Sequence, residues 1–241
     1  MSKSTRGLMI VGTDTGVGKT YVTCLIARAL RASGKRVGVY KPVASGCLRE
    51  GDTLVSEDAR ELWRAAGQSA TLEEVCPQRF AAPLAPHLAA RAEGREVDPD
   101  LLRRGLDVWL DRSEIVLVEG AGGLMSPLTD DEYVADLAAD FGFPLVVVTR
   151  NALGTINQTL QALIAAAAFG DGLPIAGIVL NHEIERSHDA SLATNRAELA
   201  ARCVPPILAE AGWNAAAFDS AVDWYLLAQS RETVPHNLSS A

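Results

Sequence analysis

Two lysines, a threonine and a glutamate in this chain are placed to handle a phosphate group. Lys19 and Thr20 end the stretch Gly12-Thr13-Asp14-Thr15-Gly16-Val17-Gly18-Lys19-Thr20. Glycines in such a stretch let backbone N–H groups crowd an anion, and a helix N-terminus adds partial positive charge. Lys19 would supply a full positive charge, and the Thr20 hydroxyl would be a ligand for Mg²⁺. Lys41, in Lys41-Pro42-Val43-Ala44-Ser45-Gly46, is a second cation, and Glu119 heads Glu119-Gly120-Ala121-Gly122-Gly123. A buried strand that ends in an acid and then glycines is not a packing pattern, because a carboxylate at such an end needs a partner. Glu119 is therefore the acidic candidate for Mg²⁺. The glycines after it let a ligand approach the backbone closely.

Such residues need a scaffold that gathers strand ends on one side. The apolar run Leu8 to Val11 precedes the glycine stretch and the amphipathic run Tyr21 to Leu30 follows it, so the context is strand, loop, helix. The loop departs from the usual pattern: Thr13 stands five residues before Gly18, where a glycine is usual, and Gly12 comes one residue earlier. Ser33-Gly34-Lys35 stops the helix and Arg36 to Tyr40 is β-rich, so residues 8 to 40 form one βαβ unit and predict a parallel sheet. Parallel strands end on one rim, which aims Lys41 at the phosphate region. A lysine snorkelling from a strand end is the competing reading.

Composition limits the partners. The 241 residues are 48% hydrophobic and 22% charged, with a net charge of −8, which argues against a nucleic-acid surface. An anionic ligand must then be met by local positive charge. Four cysteines, Cys24, Cys47, Cys76 and Cys203, show no Cys-x-x-Cys pair and no zinc-ligand spacing, so they read as reduced thiols of a cytoplasmic protein. The polar start Met1 to Gly7 predicts no signal peptide. The apolar stretch Leu160 to Phe169 is too short to span a bilayer, so no membrane partner is expected.

Further along, Ser56-Glu57-Asp58 opens a helix to about Ala66. An acid in a first helical turn is favoured by the helix dipole alone, so spacing does not make Asp58 a metal ligand. Prolines at positions 77, 83, 86 and 99 make residues 67–99 the least regular part. His87 opens a helix there and reads as a cap or packing residue before a catalyst. Asp98-Pro99-Asp100 starts a helix to about Leu110. Glu114 to Val118 is a strand, Tyr133 to Asp140 a helix and Pro144 to Thr149 a buried strand. Leu153-Gly154-Thr155-Ile156-Asn157 opens the helix to Phe169 and offers a second anion site. Pro174 to Leu180 is a strand, with Asn181 and His182 on the ligand rim. Ser187 to Cys203 is helical in pattern, Pro205-Pro206 stops it, and Asp219 to Gln229 is expected as the last helix. No repeat or long linker divides the chain, so residues 1–241 read as one doubly wound α/β domain.

With its glycine loop, its Lys41 motif and its Glu119 motif in this order, the chain closely resembles the dethiobiotin synthetase family. Ala85-Pro86-His87, Leu153-Gly154-Thr155-Ile156-Asn157 and Asn181 also fall where that family has similar segments, so the likeness spans residues 8 to about 182. The longer glycine loop is the family's own form. The resemblance implies a P-loop NTPase-like fold with a mostly parallel sheet, and an ATP-dependent ring closure in biotin synthesis. In that reaction 7,8-diaminononanoate (7,8-diaminopelargonate), CO₂ and MgATP give dethiobiotin, ADP and phosphate through a carbamate and a carbamic–phosphoric anhydride.

The resemblance also implies roles, position by position. ATP would lie on Asp14, Thr15, Gly16, Val17, Gly18, Lys19, Thr20 and Tyr21, on Glu119, Gly120, Gly122 and Gly123, and on Asn181 at the adenine. The Asn181 amide can both donate to and accept from a purine edge. Thr20, Asp58 and Glu119 would hold Mg²⁺, so the likeness raises Asp58 from cap to ligand. Lys19, Lys41, Thr15 and Ser45 would serve catalysis. The diamine would meet Lys41, Ser45 and Gly122, with its carboxylate on Leu153, Gly154 and Asn157 across a homodimer interface.

Two departures lie toward the C-terminus. The aromatic residue that grips the substrate tail near positions 187–192 is absent, and the loop after the last strand is altered at Ala209-Glu210-Ala211-Gly212-Trp213. The main rival is a partitioning or cell-division ATPase switch of related fold. Such proteins carry a signature lysine five residues before the loop lysine, where this chain has Asp14. An amidoligase fed by a glutaminase domain would need more chain after residue 182 and a cysteine in a nucleophile turn.

Overall fold

The computed structural model describes residues 5–183 and 188–230. Six strands make the parallel part of its main sheet: β1 (Arg6–Gly12), β2 (Val37–Tyr40), β3 (Ile115–Gly123), β4 (Leu145–Arg150), β5 (Ile175–Asn181) and β6 (Ile207–Ala211). Their order in space is β6-β5-β4-β1-β3-β2, and every neighbouring pair among them is parallel. The short strand Gln229–Ser230 adds antiparallel to the start of β1.

Central strands of such a sheet are covered by helices on both faces, which is why their sequences are continuous apolar runs rather than alternating ones. Leu8, Met9 and Ile10 in β1 and Val146 and Val148 in β4 are fully buried. Burying a side chain of this size contributes roughly 1.5–3 kcal/mol. Helix α1 (Lys19–Ala32) covers the sheet with Val22, Leu25, Ile26 and Leu30, the spacing that makes one apolar stripe on a helix. Helices α2 (Glu57–Ala65), α3 (Thr155–Ala168) and α4 (Leu192–Arg202) complete the elements that bear on the site. One doubly wound α/β sheet is what the alternation of patterns predicts.

Several boundaries differ from the sequence reading. The helix expected from Asp98 to Leu110 is two, Pro99–Arg104 and Asp107–Arg112. The break is at Gly105, where a Cβ would lie 2.2 Å from the Tyr40 hydroxyl. That hydroxyl donates to the Leu102 carbonyl at 2.9 Å, so the buried phenol takes the place of a continuing helix. Among the described residues the last helix is not Asp219–Gln229 but the single turn Trp224–Leu227, capped by Asp223. Asp219 is held elsewhere, accepting from the Glu210 N–H at 2.6 Å and pairing with Arg196 at 3.1 Å. The helix expected from Ser187 begins at Leu192, and Ser187 itself lies outside the described residues. Strand β3 runs through Glu119 to Gly123, and Ala209 to Ala211 belong to β6 rather than to a loop.

Candidate active site

Strand β1 has β3 on one side and β4 on the other, and the chain leaves it in opposite directions, so the loop after β1 opens at the point where the strand order reverses. That loop is the glycine stretch. Gly16 and Gly18 take φ values of 74° and 88°, which side chains resist. Gly12, the displaced glycine, is needed for space instead, since a Cβ there would lie 2.6 Å from the Asp14 carbonyl oxygen and 3.0 Å from the Lys19 ammonium. The loop thus folds over Lys19, which is buried and donates to the Asp14 carbonyl at 3.1 Å. The Asp14 carboxylate accepts from the Thr15 N–H at 2.7 Å. Thr13, standing in the usual glycine position, turns its hydroxyl to that of Thr149 at 3.3 Å.

Strands β2 and β3 are paired with Tyr40 opposite Val118, so their next residues, Lys41 and Glu119, arrive side by side. The Lys41 ammonium lies 2.5 Å from Glu119 Oε1 and 2.8 Å from Asp58 Oδ2. The Thr20 hydroxyl donates to the same Glu119 oxygen at 2.8 Å. Lys41 and Glu119 are buried, while the Asp58 side chain is 52% exposed. Burial opposes the charge on Lys41, but the Glu119 and Asp58 carboxylates outweigh it and hold its pKa above that of an ordinary lysine. At Lys19, burial wins over the attraction of Glu119 and lowers the pKa. Burial would raise Asp58, yet the neighbouring Lys41 holds its carboxyl below the usual carboxylate range.

Thr15, Ser45, Asp58 and Gly122 line the same cavity as the two lysines, a space of about 480 Å³. Gly120 and Gly123, expected at the nucleotide, do not line it: a Cβ on Gly120 would meet Val134 at 2.8 Å, and the Gly123 N–H is given to Ser126 at 2.8 Å. Glu61 also faces the cavity, although no motif in the sequence marks it. Its signal is present all the same, three residues after Asp58 on α2 and so on the same helix face. A larger cleft of about 610 Å³, between His87 and Glu132, contains none of these groups.

Gly16, Gly18 and Tyr21 are shared with a second cavity of about 330 Å³, walled by Asn181, His182 and Trp213. Asn181 Nδ2 donates to the Val17 carbonyl at 3.0 Å, while its Oδ1 is buried without a partner. One of the two amide N–H groups is thus taken by the loop, and the Oδ1 acceptor has no protein partner. Tyr21 does not reach into the space with its hydroxyl, which lies 2.7 Å from the Gly212 carbonyl oxygen and 2.8 Å from that of Ala215. This tie holds the segment that carries Trp213, a half-exposed indole that the sequence marks only as part of an altered loop.

Leu153, Gly154 and Asn157 line neither cavity. Gly154 caps α3 in the left-handed conformation, and the Leu153 N–H is already taken by the Asp189 carboxylate at 2.6 Å. Residues 188–192 contain no aromatic side chain, and position 187 lies outside the described residues.

The residues of the first cavity fit a divalent cation bound with a triphosphate. Glu119 Oε2 is buried with no hydrogen-bond partner, beside the Thr20 hydroxyl and the Asp58 carboxylate. Among the described residues no three His, Cys, Asp or Glu side chains cluster as a metal cage. Mg²⁺ commonly takes one or two carboxylates and completes its shell with phosphate and water. All four cysteines are free, and no helix among the described residues is long and apolar enough to cross a membrane.

Comparisons with known proteins bear on the family and the fold. A family profile described as an AAA domain matches residues 6–216. The ATP-dependent dethiobiotin synthetase BioD of Rhodopirellula baltica is 43% identical over 211 residues, covering 83% of this chain and 81% of that protein. The protein of the same name from Anaeromyxobacter dehalogenans is 49% identical over 195 residues, covering 81% of this chain and 84% of its own. Among solved structures, a ParA family ATPase from Chlorobium tepidum superposes with a TM-score of 0.53 at 16% identity, covering 88% of this chain and 86% of that one, a likeness of fold alone. The extent and identity of the first two matches place this chain in the ATP-dependent dethiobiotin synthetase family.

Proposed function

We propose that this protein is a C–N bond-forming ligase that makes dethiobiotin from 7,8-diaminononanoate, CO₂ and ATP, a step of biotin biosynthesis. The observation that carries the reading is the convergence of the Lys19 and Lys41 ammonium groups with the Thr15 and Ser45 side chains on one cavity. A carbamate is an anionic, weak nucleophile that must approach a polyanion, so positive charge has to bridge the two.

CO₂ adds to one amine as the carbamate. A carbamate oxygen then attacks the γ-phosphorus, giving the carbamic–phosphoric anhydride and ADP. The second amine attacks the carbonyl, closes the cyclic urea and expels phosphate. Lys19, lodged in the glycine loop, binds the phosphates. Lys41 spans carbamate and γ-phosphate, with the Thr15 and Ser45 hydroxyls on the substrate side. Asp14 braces the loop, and Gly122 lets the diamine approach the backbone. Thr20, Asp58 and Glu119 would hold Mg²⁺, whose charge offsets that of the phosphates. Asn181 receives the adenine amino group on Oδ1.

Leu153, Gly154 and Asn157 are assigned to the substrate carboxylate of a partner subunit's site, which makes the enzyme a homodimer. Leu153 is 84% exposed, an apolar side chain that a second subunit would cover. The enzyme is assigned to the cytoplasm.

The test is ADP release with MgATP and bicarbonate, with and without the diamine, while dethiobiotin is followed by mass. Diamine-dependent ADP release matched one-to-one by dethiobiotin is the expected result. ADP release indifferent to the diamine would sink the reading.

A further inference from the structure

We propose that Lys41 is a placeholder cation: its ammonium occupies the Asp58–Glu119 pair until a metal ion displaces it, and only then is it delivered to the phosphates. The inference rests on the reading of Thr20, Asp58 and Glu119 as metal ligands. It adds a competition between one of the chain's own side chains and the metal.

The geometry requires a choice. The ammonium bridges the two carboxylates at 2.5 and 2.8 Å. A Mg²⁺ bound by the same oxygens would sit about 2.0–2.1 Å from each, in space the ammonium fills. Two cations so close repel, and the carboxylates cannot serve both. Glu119 is fully buried, so with neither cation present it would be an uncompensated buried charge, which proteins avoid. Lys41 meets that need in the free protein.

The side chain can leave without unfolding anything. The Lys41 backbone N–H is anchored to the Val75 carbonyl at 2.8 Å, so the stem pivots from a fixed point. The cavity into which it swings also contains Lys19 and Thr15. Glu119 Oε2, buried and unpartnered, gives an arriving metal a first foothold before the ammonium departs. A triphosphate in that cavity offers the displaced ammonium a new anion. Metal and nucleotide therefore bind cooperatively, and metal alone binds weakly.

The experiment measures Mn²⁺ binding by electron paramagnetic resonance in nucleotide-free protein. Lys41→Met should bind Mn²⁺ at least tenfold more tightly than the wild type, and Glu119→Gln should bind it more weakly. Equal or weaker binding by Lys41→Met, with Glu119→Gln still impaired, overturns the placeholder and leaves the ligand reading standing. Unimpaired binding by Glu119→Gln overturns both. Because Lys41→Met could fail to fold, the wild type is also followed by ¹⁵N NMR of its lysine ammonium groups. The Lys41 signal, assigned by its loss in Lys41→Arg, should shift when Mg²⁺ and a non-hydrolysable ATP analogue are added, and an unmoved signal overturns the proposal. Dethiobiotin formation enters neither readout, so the proposed reaction and the placeholder can fail separately.

Discussion

Asn181 gives one of its two side-chain N–H groups to the Val17 carbonyl at 3.0 Å, and its Oδ1 is left without a protein partner beside the neighbouring cavity. The oxygen left open is buried and accepts only. A base that presents an amino group satisfies it, whereas one that presents a carbonyl leaves two acceptors facing each other, at a cost of about 1–3 kcal/mol. We expect kcat/KM for ATP to exceed that for GTP by roughly 10- to 100-fold, the equivalent of that cost. Asn181→Ala should bring the two close to parity, mainly by weakening ATP. Steady-state kinetics with both nucleotides checks this.

The same contact makes Gly18 intolerant of a side chain. A Cβ there would lie 2.0 Å from Asn181 Nδ2, at a φ of 88°. Gly18→Ala should lose nucleotide binding, measured by calorimetry, well beyond any fall in thermal stability.

Lys41→Ala should keep its fold and its nucleotide affinity but lose most turnover. Removing one partner of a buried ion pair costs about 3–5 kcal/mol, so the variant should melt on the order of 10 °C lower in metal-free buffer. Mg²⁺ with ATP should restore much of that difference, because a metal supplies Glu119 with the charge it lost. Near-normal turnover would remove Lys41 from the chemistry.

The Asp58 carboxyl is held below its ordinary value, so its contribution is present above the unfolded pKa of about 3.9 and is lost as pH falls through the folded value. The raised pKa of Lys41 has the opposite sign: its contribution is present below about 10.4, the unfolded value, and is lost as pH rises through the folded one. Wild-type stability should therefore fall more steeply below about pH 4 than that of Asp58→Asn. Urea midpoints across pH 3 to 7 measure the difference.

Burial pushes the Cys24 and Cys76 thiols up to about 12. Since the thiolate is the reactive form, a disulfide reagent at pH 8 should modify none of the three buried cysteines in the native protein, and only Cys203, which is partly exposed, should react. All four should react in urea.

Leu153→Asp should shift the protein toward monomer in sedimentation. It should also raise KM for the diamine about tenfold, as the loss of roughly 1.4 kcal/mol of interface or substrate contact would, with KM for ATP little changed. Unaltered mass and KM would remove the segment from both roles.

Lys19, Thr20, Lys41 and Glu119 could be read directly from the chain because their signals are local. Glycines before a Gly-Lys-Thr, a lysine after a β-rich run and an acid inside an apolar strand each conflict with ordinary packing. The parallel sheet was equally legible, because both faces of its strands are buried and leave a continuous apolar record. Asp58 was not, since an acid in a first helical turn looks the same whether it caps the helix or binds a metal. Nor was the strand Ile207–Ala211, whose short run between Pro206 and Gly212 has little pattern to show. Tertiary structure alone decided which atoms of these residues meet. Lys41 reaches Glu119 across 78 positions of sequence, and Asn181 reaches Val17 across 164. Residue types and spacing set which groups could act, but strand register and loop geometry set which of their atoms are already taken.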